Sequence, residues 1–278
     1  MRLPSRTLLA LWLPAGTLVV WQILASRQVI NVLFFPAPTV ILAAGWSMAK
    51  SGELGAQVGA TLARMSLGSA LGIISGLACG LAMGSSDSIR RSLEPIISAL
   101  NATPKLALLP MLMLIAGIGE TARIVPIALS TFIVLAIHGL DAVRDVNPAY
   151  VELARNYGAD RRAMLRHVYL PASLPRIFTG LRLALGRALV LTISVELVSS
   201  TDGLGSMIWT AWQTFSTEKL YLGVFMTSIL GLLFHHGLLR LEASLIPWGN
   251  RSAGRRQSRL QADPHPLGTA DPVYRHAE

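Results

Sequence analysis

Charged side chains set inside long apolar runs are the chemically capable residues of this chain, and they are few. Glu196 stands in LTISVELVSS, Lys105 between Pro104 and Pro110, and Arg182 and Arg187 along the same run as Glu196. An ionised group in hydrocarbon is costly and normally faces a bundle interior or a water-filled path. Glu196 and Lys105 are therefore the candidates for a pathway or gate, with an interhelical hydrogen bond as the alternative role for Glu196, and Lys105 suits contact with an anion. On one helix, Arg187 and Glu196 lie about 13 Å apart in rise and on opposed faces, so they are not a direct pair. Arg182, nearer the end of its run, reaches the interface as a snorkelling side chain. Covalent chemistry is not on offer, because the apolar runs hold no nucleophile–base set, HxxxH pair or paired aspartates. A GxxxxGKS or GxxxxGKT loop that would cradle ATP phosphates is also missing. His235 and His236 are adjacent and do not share a helical face, and the single Cys79 excludes an internal disulfide. No catalytic residue, cofactor-binding residue or metal ligand is assigned.

The elements that carry these residues read as membrane helices. Of 278 residues 52% are hydrophobic and only 14% charged, whereas soluble domains carry about a quarter charged residues. A helical span needs roughly 20 mainly apolar residues, and six segments come near this: 8–25, 62–83, 95–117, 124–140, 178–198 and 220–241. The expectation is an all-α polytopic membrane protein of about six transmembrane helices. Pro14 and the length of the first run favour a retained span over a cleaved signal. With the N-terminus inside, the inner segments hold fifteen Arg and the outer ones only Arg27, Lys50 and Lys219, while six basic residues fall in or beside the spans. The rule that lysine and arginine stay on the cytoplasmic side then places both termini in the cytoplasm. The same distribution, with anionic membrane lipid, accounts for the net charge of +9 without nucleic acid. Residues 1–249 form the transmembrane domain, and the polar, Arg-, Pro- and His-rich tail 250–278 is expected to be disordered. Residues 39–49 suit a short amphipathic helix at the membrane surface, and 88–94 a short helix that Pro95 ends or redirects. Gly68, Gly72, Gly76, Gly80 and Gly84 recur at steps of four, a small-residue stripe for close helix packing.

Between spans four and five lies ELARNYGADRRAMLRHVYLPASLPRI, residues 152–177. Asn147-Pro148 starts a helix over Ala149–Tyr157, Gly158 permits a tight bend, and Asp160 caps a second helix over 161–170. Pro171 and Pro175 are expected to end it. Ala163, Met164 and Leu165 offer apolar contact beside Arg161, Arg162 and Arg166. Two readings stand: a docking platform for a partner, or an amphipathic connector lying on lipid.

The residues of this loop resemble the "EAA" signature of permease subunits of bacterial ABC importers, in the nitrate, sulfonate and taurine branch. That signature is matched by Glu152, Leu153 and Ala154, then Gly158, then Leu170-Pro171 and Leu174-Pro175, with Leu153 departing from the usual alanine. FPAPTVI at 35–41, ATPKLALLPML at 102–112, GIGE at 117–120, FTGLRLALGRAL at 178–189 and VELVSSTDGLGSMI at 195–208 fit the same branch. Ile115-Ala116 departs from the Trp-Phe that relatives often carry before GIGE. The resemblance implies a subunit that pairs with a second permease, docks two cytoplasmic ATPases and receives a small organic anion, such as an aliphatic sulfonate, taurine or nitrate, from a periplasmic or lipoprotein solute-binding protein. It implies no cofactor on this chain. It assigns ATPase coupling to the loop 148–177, with Glu152, Ala154, Gly158, Ala159, Arg161, Arg162, Leu165 and Pro171 carrying it.

Overall fold

In the computed structural model, which describes residues 5–246, every regular element is helical. The order is α1 (Ser5–Ser26), α2 (Pro38–Lys50), α3 (Glu53–Ser85), α4 (Asp87–Ala102), a tight 3-10 turn at Lys105–Leu108, α5 (Leu109–Ala116) and α6 (Glu120–Arg144). Then follow α7 (Pro148–Asn156), α8 (Arg161–Met164), a π-helical turn at Leu165–Tyr169, α9 (Leu170–Ser199), α10 (Leu204–Gln213) and α11 (Thr217–Leu245). The tail expected from residue 250 lies outside the described residues.

The expectation of about six spans is corrected. Among the described residues only α3, α6 and α11 are long and apolar enough to cross a membrane, and a fourth is reached if the bent pair formed by α4 and Lys105–Ala116 counts as one span. Segment 95–117 is not a continuous helix: it breaks at Thr103-Pro104 and turns by 91°. Proline disfavours helical backbone in the residue before it, and Thr103 is accordingly extended. Segment 178–198 lies in the 30-residue α9, where Arg182, Arg187 and Glu196 interrupt the apolar run. In α1 the described apolar part, Trp12–Ser26, is short for a span. Two smaller expectations also change. Pro95 neither ends nor redirects a helix, since α4 runs through it to Ala102. Pro171 and Pro175 do not end the helix after Asp160, because the π turn carries it into α9.

The glycine stripe sets the central packing. A Cβ built on Gly76 would stand 2.5 Å from the Phe132 carbonyl oxygen, and one on Gly80 2.5 Å from that of Ala136. On Gly68 it would meet Ile127, on Gly72 the Ala128 carbonyl and Thr131, and on Gly84 Val143. Backbone-to-backbone approach of this kind is possible only where side chains are absent. Both partner series rise together, so α3 and α6 run parallel. Two parallel spans in succession require the intervening chain to cross back, which is the task of the bent α4–α5 unit. From α6 the chain turns through α7 and α8 and returns along α9, with Gly180 against His138 and Arg123 against the Ser199 carbonyl. The α6–α9 bundle therefore has a platform end, where α6 stops and α9 starts, and an opposite end where α6 starts and α9 stops. Near the latter, Met65, Ile127, Leu204, Met207 and Leu222 share one buried apolar cluster.

Candidate functional site

Three constellations are built on this frame. The first is the platform. Asn147 Oδ1 accepts from the Ala149 amide at 3.0 Å and so caps α7, with Pro148 in the first turn. Gly158 has φ +75°, a left-handed conformation that glycine adopts without strain. Asp160 Oδ1 accepts from the Ala163 amide at 2.7 Å. The loop is fastened to the bundle by Ser173, whose hydroxyl donates to the Ala142 carbonyl at 3.0 Å, and by the Arg176–Asp145 pair at 3.0 Å. Glu152, Gly158 and Arg162 are exposed, while Ala154, Ala159 and Pro171 are half-buried. The side chains of Arg161 and Leu165 lie outside the described residues. Met164, one of the apolar residues beside these arginines, is buried. The outward apolar surface comes from Tyr150, Leu153 and Tyr157, the last 84% exposed. Tyr150, Leu153 and Tyr157 line a groove of about 430 Å³ with His167, Val168 and Pro171.

The second constellation lies at the opposite end and gathers Glu196. This carboxylate is fully buried. It accepts from Arg64 Nη1 at 2.9 Å, Thr61 Oγ1 at 2.9 Å and the Gly205 amide at 3.0 Å. Arg64, 4% exposed, also bonds Glu120 through Nε at 2.7 Å and Nη2 at 2.9 Å. It reaches both the carbonyl and the carboxylate of Asp202. Arg123 spans Glu120 and the Ser199 carbonyl, closing α6 onto α9. Two amides of the α9–α10 connection are taken up by α3, Gly203 N by Gln57 and Leu204 N by Thr61. The glycines of DGLG make room for this: a Cβ on Gly203 would run into the Glu196 carboxylate, and one on Gly205 would stand 2.6 Å from Glu196 Cβ. In the connecting loop, the Arg64 guanidinium holds the Asp202 carboxyl below the usual carboxylate range. Arg64 thus satisfies three carboxylates, from α6, α9 and the α9–α10 connection, and the network acts as a clasp joining α3, α6, α9 and α10.

The third constellation is a pocket of about 480 Å³ that takes in Lys105. Asn101, Pro104 and Leu106 line it from the α4–α5 break, Ser130 and Val134 from α6, and Gly186, Arg187, Val190, Leu191 and Ser194 from α9. The structure thus separates the two gating candidates, Glu196 in the clasp and Lys105 in the pocket. Arg182 does not simply snorkel, since it pairs with Glu242 of α11 at 3.1 Å.

Sequence reading missed Arg64, Glu120, Arg123 and Asp202 as partners of Glu196. One signal was present: Arg64 is a charge inside the apolar segment 62–83, the same criterion that singled out Glu196 and Lys105. Its partners, 56 to 138 positions away, left no local trace.

Comparison with known proteins agrees with this architecture. Residues 68–245 match the family described as binding-protein-dependent transport system inner membrane component. The taurine transport system permease protein TauC of Escherichia coli (strain K12) is 34% identical over 239 residues, covering 84% of this chain and 87% of that protein. The putative aliphatic sulfonates transport permease protein SsuC of the same strain is 33% identical over 237 residues, covering 85% and 90%. Among solved structures, a chain of the inward-facing MetNI methionine ABC transporter superposes with a TM-score of 0.60 over 66% of this chain and 92% of that one. At 20% identity this likeness concerns the fold alone.

Proposed function

The chain belongs to the binding-protein-dependent transport system inner membrane component family, and from that premise we propose that it forms the pathway for a small sulfonate-type solute, taurine foremost. Membership itself makes it a multi-pass inner-membrane permease subunit of an ABC importer, in the nitrate, sulfonate and taurine branch, for a small polar solute. It is not the catalytic subunit, and its class implies a separate ATPase and a solute-binding component. The finer reading is that two copies pair, that each platform seats on one ATPase in the cytoplasm, and that the solute-binding protein delivers from the clasp side. What supports the docking role is the outward face of α7. Tyr150 and Leu153 are more than half exposed and border the open groove that Pro171 also lines, an exposed apolar surface suited to a protein partner. The choice of taurine rests on the 34% identity to a taurine permease. Nitrate and longer sulfonates are the alternatives.

In this reading ATP binding draws the two ATPases together, the platforms move with them, and the helices rock about the pathway as rigid bodies. The stiffness required between platform and bundle comes from the continuous passage of the loop through the π turn into α9. The test is affinity purification of the tagged chain from gently solubilised membranes. An ATPase recovered at a one-to-one ratio is expected, together with its loss in Leu153→Asp while the chain itself stays in the membrane. A clean homo-oligomer without an ATPase would overturn the partner reading. Uptake of radiolabelled taurine, competed by nitrate and by alkanesulfonates, then ranks the substrates.

A further inference from the structure

Of the six basic residues in or beside the apolar segments, four have clear placements outside the pocket or on the surface. Arg64 and Arg123 belong to the clasp, Arg182 is held by Glu242, and Arg240 is exposed near the end of α11. The other two, Lys105 and Arg187, line the same pocket. Neither has a carboxylate within ion-pair distance among the described residues; the Lys105 ammonium donates to one backbone oxygen, that of Asn101, at 2.6 Å.

Their depth makes this significant. Arg187 lies seventeen residues after the start of α9 at Leu170 and nine before Glu196, which is about 25 Å of rise from one and about 13 Å from the other. Ser130, across the pocket on α6, lies ten residues after Glu120, about 15 Å along that helix. The pocket therefore lies midway along the helices, far from either end, and opens on the side of the bundle, where Arg187 and Val190 are exposed. An arginine there that faced only hydrocarbon would be costly, and intramembrane cations ordinarily face a solvated path or a counter-charge. Two cations facing one cavity repel each other, and an anion between them removes both penalties through charge-assisted hydrogen bonds.

We infer that Lys105 and Arg187 form an anion-binding station in the pathway, one that takes a compact oxyanion with a short apolar tail. Asn101 and Ser130 add neutral polar groups around the same space, and Val134, Val190 and Leu191 form an apolar wall for the tail. The lysine sits at the 91° break between α4 and α5, so any change in that bend moves one cation relative to the other. Anion occupancy is thereby tied to the conformation of the bundle. This inference rests on the permease reading for its physiological meaning, but the site itself is testable without it.

The test uses the permease purified with whatever ATPase accompanies it, without a solute-binding protein, and titrates in sodium methanesulfonate, sodium nitrate and sodium chloride calorimetrically. Methanesulfonate is expected to bind, and Lys105→Gln and Arg187→Gln each to weaken it roughly tenfold or more, the loss of one charge-assisted hydrogen bond. The charge-keeping Lys105→Arg and Arg187→Lys are expected to retain binding, with melting temperatures reporting that each variant is folded. Tighter binding of methanesulfonate than nitrate supports the apolar wall, and equal binding would overturn the tail's place in the site. Chloride giving the same heat, an unchanged affinity in the folded double glutamine variant, or no methanesulfonate binding by the parent protein would overturn the station. An ATPase that co-purifies while the titration fails removes this inference and leaves the permease reading. A titration that succeeds on a chain lacking an ATPase removes the ATPase-partner reading and leaves the anion site.

Discussion

Arg64 and Arg187 are both arginines on long helices of the bundle, and their surroundings are opposite. Arg64 is buried and meets three carboxylates and a backbone carbonyl. Arg187 is exposed on a pocket wall beside a second cation, with no carboxylate in reach among the described residues. The difference separates two uses of charge in a low-dielectric setting. A charge whose donors are all matched by protein acceptors holds helices in register. A charge left unmatched toward a cavity is held for something that arrives there.

The comparison is broken most severely by Glu196→Ala. It removes the buried acceptor of Arg64, Thr61 and the Gly205 amide at once, and loss of one partner of a buried pair costs about 3–5 kcal/mol. A large fall in melting temperature in detergent and a poor membrane yield are expected, and an unchanged melting curve would place Glu196 outside the clasp's load path. Next in size is Gly203→Ala. Its φ of +102° and the Glu196 carboxylate in the way of a Cβ both oppose the side chain, and such a site costs about 1–3 kcal/mol. Arg187→Gln sharpens the contrast from the other side. Removing an unmatched cation is expected to leave the melting temperature level or slightly higher, within about 0.5 kcal/mol, while oxyanion binding falls; a loss comparable to Glu196→Ala would make Arg187 structural.

The smallest effect is a pH response of the clasp. Arg64 depresses the Asp202 carboxyl, so this side chain stabilises the folded state above the ordinary carboxylate range, near pH 4. That contribution is lost as pH falls through the lowered folded-state value. Melting curves of the parent protein and Asp202→Asn, recorded from neutral pH downward, are expected to converge at acid pH. Curves that stay parallel would show that Asp202 carries no pH-linked stability.

Local chemistry was the legible part. Asn147-Pro148 gave away the start of α7 within one turn, because a cap and its helix are adjacent in sequence. The glycines at steps of four exposed the packing face of α3, since helical period alone puts them in one line. Glu196 and Lys105 stood out as charges in apolar surroundings, yet their separate fates depended on residues at long range. Counting apolar runs failed at 95–117, where the run continues through a backbone break that hydropathy does not register, and in α9, where three charges divide an otherwise apolar helix. Which side of the loop the bundle covers, and so that Met164 is buried, cannot be read from helix spacing alone.

By itself, then, the sequence determined the helical class, the membrane setting, the helix–turn–helix course of the loop after α6 and the packing stripe, all properties of composition or of neighbours a few positions apart. Tertiary structure alone decided that α3 and α6 run parallel, that α4 and α5 bend back between them, that Glu196 is matched and that Lys105 and Arg187 share a pocket. The physical reason is that helix periodicity extends only along one element. Whether a buried charge is satisfied depends on donors and acceptors that packing brings from elements more than fifty residues away.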